Sequence, residues 1–343
     1  MRFASGGAIR TVSVESLNLG RSFPGPVDAR RRDYVFVVLA SVFWGTAFPG
    51  TKLIAGPVDP LVITAARLGI GALLGLAVLA GMRRLRWSFL REPWIWGLGL
   101  VNSLAFNLQN VGLVYTTVSK TALLVNVNIV FIAILMVFVY KEKTTLARAT
   151  GIGLGLLGVV VLATKLNADT LGGGDFLGDV LVFMAGVMWA FYVIGLKGMV
   201  DRGGDYLALV TMVIATTALW SLLPLPFVRG GWPSGAISWT AIAYLGLVPT
   251  FLPMLLYTLS LRTISPTVSS LLVLLEILVA TLFAVAMLGE VLDAFTLLGG
   301  GLILLGTYVT TRGEQPIPEP GAAGLANVPA DPAVVEWGGP RRP

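Results

Sequence analysis

A carboxyl group stands where this chain otherwise offers only hydrocarbon. Glu276 lies within LLVLLEILVATLF, about a dozen residues into an apolar run. That is roughly 18 Å along a helix and near the middle of a bilayer. Ionisable groups at such depth are costly, and they mark solute or proton paths. The side chain is too far from either interface to snorkel. It must face a cavity or a polar partner, or else pack between helices as a hydrogen-bonded carboxyl. A step of 148 residues back from Glu276 reaches Asn128 in LLVNVNIVF. Ser269 precedes Glu276 by seven positions and Thr121 precedes Asn128 by seven. At helical spacing each pair shares a face, which gives two matched polar stripes.

Further polar and aromatic residues occupy other apolar runs. In GLGLVNSLAFNLQNVGLVY, Asn102, Phe106 and Gln109 fall on one face, with Asn107 and Asn110 beside it. A helix facing only lipid would not hold four amides. They line a cavity or glue helices together, at about 0.6–2 kcal/mol per hydrogen bond, and the pattern leaves both readings open. Trp44 and Trp189 lie in mid-run, away from interfacial belts. Tyr192 follows Trp189 by three, and Tyr257 sits inside another run. Aromatic groups with polar tips line pockets or simply pack. Arg67 lies within an apolar run near its outer end and is expected to snorkel.

Several chemistries are excluded by absence. The chain has no Cys and no His, which removes disulfides, thiolate nucleophiles, imidazole bases and the usual zinc ligands. No GxxxxGK[ST] phosphate loop is present. Neither a metal nor a cofactor is expected. The net charge of +6 does not point to nucleic acid, because the cations sit in tails and short loops beside apolar runs.

The elements that must position these groups follow from composition. Of 343 residues, 56% are hydrophobic and 12% charged, against about 25% charged in soluble domains. The chain is therefore an all-α integral membrane protein whose surroundings are the lipid bilayer. Ten runs approach the roughly 20 residues a spanning helix needs, near 34–54, 60–81, 94–115, 118–140, 145–164, 176–197, 205–228, 236–260, 264–288 and 292–312. Pro60, Pro93 and Pro266 stand where helices begin. Pro49-Gly50, Pro249 and Pro253 fall inside runs and are expected to kink or break them. Residues 1–33 and 313–343 read as disordered tails. With both termini in the cytoplasm, 19 of the 24 Lys and Arg fall on the inner side; Lys52, Lys120, Lys165 and Arg229 fall outside, and Arg67 lies within a run. This asymmetry fits the positive-inside rule.

The chain also contains itself twice. EKTTLARATGIGLGLLG (142–158) recurs as EVLDAFTLLGGGLILLG (290–306), pairing Glu142, Gly151 and Gly158 with Glu290, Gly299 and Gly306 at an offset of 148. Val42-Phe43-Trp44 with Lys52 recurs as Val187-Met188-Trp189 with Lys197, at an offset of 145. Glu142 and Glu290, each just before a run, read as structural partners of a helix N-terminus. Gly151 and Gly155, like Gly71 and Gly75, read as packing seams. Five runs per half is an odd number, so the halves 34–164 and 176–312 enter the membrane from opposite sides as a five-plus-five inverted repeat.

FWGTAFPGTK (43–52) with ITAARLGIGALL (63–74), and LRTISPTVSSLLVLLE (261–276) with MLGEVLDAFTLLGGGLILLG (287–306), resemble the EamA-type members of the drug/metabolite transporter superfamily. The resemblance covers roughly residues 34–312. It implies ten spans in inverted repeat, a central cavity lined by spans one, three, four, six, eight and nine, and transport, frequently export, of small organic metabolites. Two departures stand out. Ile277 and Ile129 occupy places where the family commonly has Pro, which implies straighter helices.

The reading reached is a secondary transporter in the cytoplasmic membrane, moving a solute such as an amino acid by alternating access. Trp44, Asn102, Phe106, Gln109, Asn128, Trp189, Tyr192, Tyr257 and Glu276 would face the solute, with a proton as a candidate second ligand at Glu276. A membrane-embedded enzyme acting on lipid-linked substrates is the rival, weakened by the missing His and Cys. Asp169, Asp175 and Asp179, beside Gly172-Gly173-Gly174, read as a linker rather than an acid cluster. A non-transporting sensor is the third class.

Overall fold

The computed structural model describes residues 26–140, 145–167 and 174–312. Among these the chain is helical, joined by short turns, and no strand forms. The first half comprises α1 (Pro26–Gly45), α2 (Ala47–Ile54), α3 (Pro60–Gly81), α4 (Pro93–Tyr115), α5 (Val118–Val125), α6 (Asn128–Tyr140) and α7 (Leu146–Thr164). The second comprises α8 (Gly174–Asp201), α9 (Tyr206–Ser221), α10 (Gly235–Gly246), α11 (Leu252–Ser260), α12 (Pro266–Val273), α13 (Leu275–Leu288) and α14 (Ala294–Arg312). Among the described residues, seven stretches are long and apolar enough to cross a membrane: 31–54, 60–81, 118–135, 175–201, 206–227, 235–260 and 268–288. Two apolar helices, 149–162 and 294–306, are shorter. The amide-bearing α4 is not among either group. The chain is thus a multi-pass helical membrane protein.

Local chemistry sets the helix starts. Pro60, Pro93 and Pro266 each open a helix, where a missing N–H costs nothing. Asp59 accepts from Leu61 N at 2.8 Å and Asp205 from Ala208 N at 3.2 Å. α1 begins at Pro26, so residues 26–33 of the expected tail are helical. Arg32 stacks on Phe36 at 5.5 Å and Asp33 accepts from Thr263 Oγ1 at 2.9 Å, which gives that polar turn partners. Residues 1–25, 313–343, Glu142 and Asp169 lie outside the described residues.

Four of the expected runs are interrupted. The first breaks at Thr46, close to the Gly45 carbonyl that the Pro49 ring, four residues on, would crowd. The eighth passes through a π-helical turn, Leu247–Phe251, which contains Pro249 and ends two residues before Pro253. The fourth and ninth break at Asn126–Val127 and at Leu274, although Ile129 and Ile277 had implied straight helices. Proline is not needed there. The chain tightens into three-residue bonds, Val127 N to Leu124 O, Ile129 N to Asn126 O and Ile277 N to Leu274 O, as a 3₁₀ turn does. The Asn126 side chain donates back to Ala122 O at 2.8 Å. The breaks at Asn126 and Leu274 are 148 residues apart.

Helices pack in matched pairs. α4 lies against α8, and α1 against α11. α5 and α6 meet α8, while α12 and α13 meet α1. α3 pairs with α9, and α7 with α14. In this last pair the repeated glycines face one another. A Cβ built on Gly158 would lie 2.6 Å from Gly299 O, and one on Gly306 would lie 2.6 Å from Gly151 O. The register runs antiparallel, and each repeated glycine touches the opposite member of the other copy. Gly71 and Gly75 likewise press on Thr250 and Phe251.

Polar residues tie the helix ends. Lys52 Nζ donates to the carbonyls of Leu113 (2.6 Å), Val114 (3.3 Å) and Thr116 (2.7 Å) at the end of α4. Lys197 Nζ donates to Leu261 O at the end of α11 (3.1 Å) and to Asp201 (2.5 Å). The acceptors Leu113 and Leu261 are themselves 148 apart. Glu290 does complement a helix N-terminus, but that of α5 and not of α14: it accepts from Val118 N (2.6 Å), Ser119 N (3.0 Å) and Ser119 Oγ (2.8 Å). Asp293 caps α14 instead, through Thr296 N at 2.7 Å. Asp179 is not in a linker; it is buried in α8 and pairs with Lys120 Nζ at 2.8 Å and Thr116 Oγ1 at 2.6 Å.

Two outcomes are expected. Gly158→Ala forces the α7–α14 seam apart and costs about 1–3 kcal/mol, whereas Gly153→Ala, with nothing within 4 Å of its Cβ position, is neutral or better; melting in detergent compares them. The Asp293 carboxyl, held by Lys165 Nζ at 2.7 Å, is depressed to about 2. Its stabilising contribution is therefore complete above the unfolded value of about 3.9 and fades as pH falls through about 2. The melting gap between wild type and Asp293→Asn should be small, since the pair is exposed, and should close on acidification over that window.

Candidate functional site

The interruptions gather around one cavity. Trp44 reaches it from the end of α1, beside Ala47 and Phe48 of α2. Phe106 and Gln109 of α4, and Asn126 and Asn128 at the α5–α6 break, also come from the first half. Trp189 and Tyr192 of α8, Tyr257 of α11, Ser270 of α12 and Glu276 of α13 come from the second. Repeat offset, spacing and the family resemblance together had put most of these forward. Eight of the nine residues singled out in the sequence line this one cavity.

Asn102 does not. It is buried between α4 and α9, and its Nδ2 donates to Thr217 Oγ1 at 3.0 Å. Asn110 Nδ2 bonds Thr64 Oγ1 of α3 at 2.8 Å, and Asn107 Nδ2 bonds Ser103 O of its own helix at 2.9 Å. Of the α4 amides, only Gln109 turns to the cavity, where it accepts from Trp189 Nε1 at 3.4 Å. A helix wedged between α3, α8 and α9 buries polar groups on more than one side, so shared spacing could not tell glue from lining.

Arg67 corrects a second expectation. It does not snorkel. Only 1% of it is exposed, and it lines the cavity. Its Nε donates to Thr250 Oγ1 at 3.0 Å and its Nη2 to Pro249 O at 3.4 Å. The guanidinium lies 5.0 Å over the Phe106 ring. The cause lies in the second half. Pro253 has no N–H to give the Pro249 carbonyl four residues back, and that carbonyl turns to the arginine. The signal in the sequence was the rarity of Arg within an apolar run.

Aromatic edges build the walls. Trp44 and Tyr257 lie 5.4 Å apart, Phe106 and Trp189 5.0 Å, Trp189 and Tyr192 5.5 Å. Such tilted pairs are favourable geometries. They leave three polar groups on the cavity without protein partners among the described residues. Arg67 Nη1 and Asn128 Oδ1 are buried and unbonded. Glu276 is 6% exposed and has no hydrogen bond or ion pair. Ser269, expected on the Glu276 stripe, bonds Tyr257 Oη at 3.3 Å instead; its neighbour Ser270 faces the cavity.

The model of the EamA-like transporter family matches residues 32–164 and again residues 176–312. An uncharacterized transporter of Archaeoglobus fulgidus is 26% identical over 283 residues, covering 82% of this chain and 99% of its own length. An uncharacterized transporter of Clostridium kluyveri is 23% identical over 291 residues, covering 81% and 93%. The uncharacterized transporter YdfC of Bacillus subtilis is 26% identical over 274 residues, covering 78% and 87%. One crystal structure superposes with a TM-score of 0.62 at 21% identity, over 84% of this chain and all of its own, so the fold is shared.

Thr250→Val removes the acceptor of Arg67 Nε and leaves a buried charge short of a partner. It should cost about 1–3 kcal/mol, while Thr250→Ser, which keeps the hydroxyl, should cost far less. Thermal unfolding in detergent measures the difference.

Proposed function

Because the chain belongs to the EamA-like transporter family, we propose that it is a secondary transporter, working as an exporter of small organic metabolites such as amino acids across the cytoplasmic membrane by alternating access. The observation that carries this reading is a cavity walled by both copies of the repeat, at the level where four of the runs break. Such breaks are tolerated in lipid only beside protein or a cavity. The ten runs form two halves of five, inverted with respect to one another, with both termini in the cytoplasm. The antiparallel glycine seam, in which each repeated residue meets its opposite in the other copy, supports a two-fold relation. Rocking of one half against the other would open the cavity to alternate sides.

Within that cycle Glu276 binds the cationic part of a solute and exchanges a coupling proton. Purified protein in proteoliposomes supplied with a metabolite mixture should equilibrate at least one unmodified solute. Chemical conversion of a solute, or no movement of any, would sink the carrier reading. Glu276→Gln should abolish uptake driven by a pH gradient while solute exchange persists. Undiminished gradient-driven uptake in that variant would remove the proton role.

A further inference from the structure

Arg67 and Glu276 bring a guanidinium and a carboxyl group to one cavity, from opposite halves of the chain. They are not paired with each other or with any other ion among the described residues. The arginine is anchored by two of its three nitrogens and by its face, through Thr250, Pro249 and Phe106. None of these partners carries charge. What remains is one edge, Nη1, buried and unbonded. A guanidinium buried without an anion is an incomplete arrangement, and the planar fork suits a carboxylate or similar oxyanion. Across the repeat, Glu276 and Asn128 occupy equivalent positions 148 residues apart; Asn128 Oδ1 is buried and unbonded, and the Glu276 carboxyl lines the cavity with no hydrogen-bond donor among the described residues. An ammonium, with three N–H groups, matches such a pair of acceptors.

We infer that Arg67 is an anion-docking residue, and that the cavity admits zwitterions whose anionic group sits on Arg67 Nη1 and whose ammonium sits between Glu276 and Asn128. This rests on the carrier reading for its physiological meaning, but not for its test. A solute with only a cationic group would leave Arg67 unpaired, and one with only an anionic group would leave Glu276 and Asn128 unmet. An uncharged solute would leave all three. The aromatic walls, Trp44 with Tyr257 and Phe106 with Trp189, take the apolar body.

The test uses the full chain in detergent and, in parallel, in proteoliposomes. The probes are the common amino acids, their amides, which lack the anion, and their N-acetyl forms, which lack the ammonium. Tryptophan fluorescence reads binding, because Trp44 and Trp189 line the site. At least one free amino acid should bind, and its amide and N-acetyl form should bind at least tenfold more weakly. Arg67→Gln should erase the preference for the free acid over the amide. Should that variant fail to fold, the wild-type comparison decides alone. No binding by any free amino acid, or equal binding of acid and amide, overturns the inference. Binding with the expected preference but without flux upholds the inference and overturns the carrier reading. Flux confined to uncharged solutes in the metabolite mixture does the reverse.

Discussion

Hydrocarbon offers a polypeptide no hydrogen bonds. In this molecule each departure from regular helix is accompanied by a side chain that answers it. At the first break, Thr46 Oγ1 donates to Phe43 O at 2.7 Å and accepts from Tyr244 Oη at 2.6 Å. At the fourth run, Asn126 reaches back to Ala122 O. The π turn of the eighth run gives its Pro249 carbonyl to Arg67. Beside the ninth break, Ser41 Oγ of α1 meets Leu272 O at 3.2 Å. The donors for the eighth and ninth breaks come from the first half, and Tyr244, from the second, attends the first break. The breaks and the contact between halves are therefore one arrangement. The cavity is the space this arrangement leaves.

Much of that arrangement was legible in the sequence, and the reason is periodicity. Trp44 and Trp189, or Asn128 and Glu276, stand out because polar or bulky groups recur at near-constant offsets of 145 and 148 in otherwise featureless apolar runs. The proline-initiated helices were equally plain, since the residue type alone fixes where such a helix starts. What escaped was decided by tertiary partners. Arg67 within its own helix gives no hint that a carbonyl 182 residues away lacks its donor. Asn102 and Gln109 share a face in projection, yet a helix packed on several sides sends one into α9 and the other into the cavity. The break at Asn126 depends on a side chain folding back onto its own turn, which no absence of proline forbids.

The two lysine contacts show the repeat at the level of single bonds. Lys52 and Lys197 cap different helices, yet their shared acceptors, Leu113 and Leu261, are copies of one another. An ammonium at a helix C-terminus complements the dipole there. It also ties α2 to α4 and α8 to α11. Each tied pair therefore moves at least cost as one body, since separating it strips the charge of its carbonyls.

The Asn128–Glu276 equivalence has a consequence that a plain two-fold assembly could not reach. Two identical chains meeting at such an axis must present the same group from both sides, amide facing amide or acid facing acid. In the inverted arrangement proposed above, carrying both copies in one polypeptide lets the sequences diverge across the axis while the scaffold stays matched. The chamber thereby gains a sense of direction: a guest entering it meets an electrical head and tail, although the frame around it has neither.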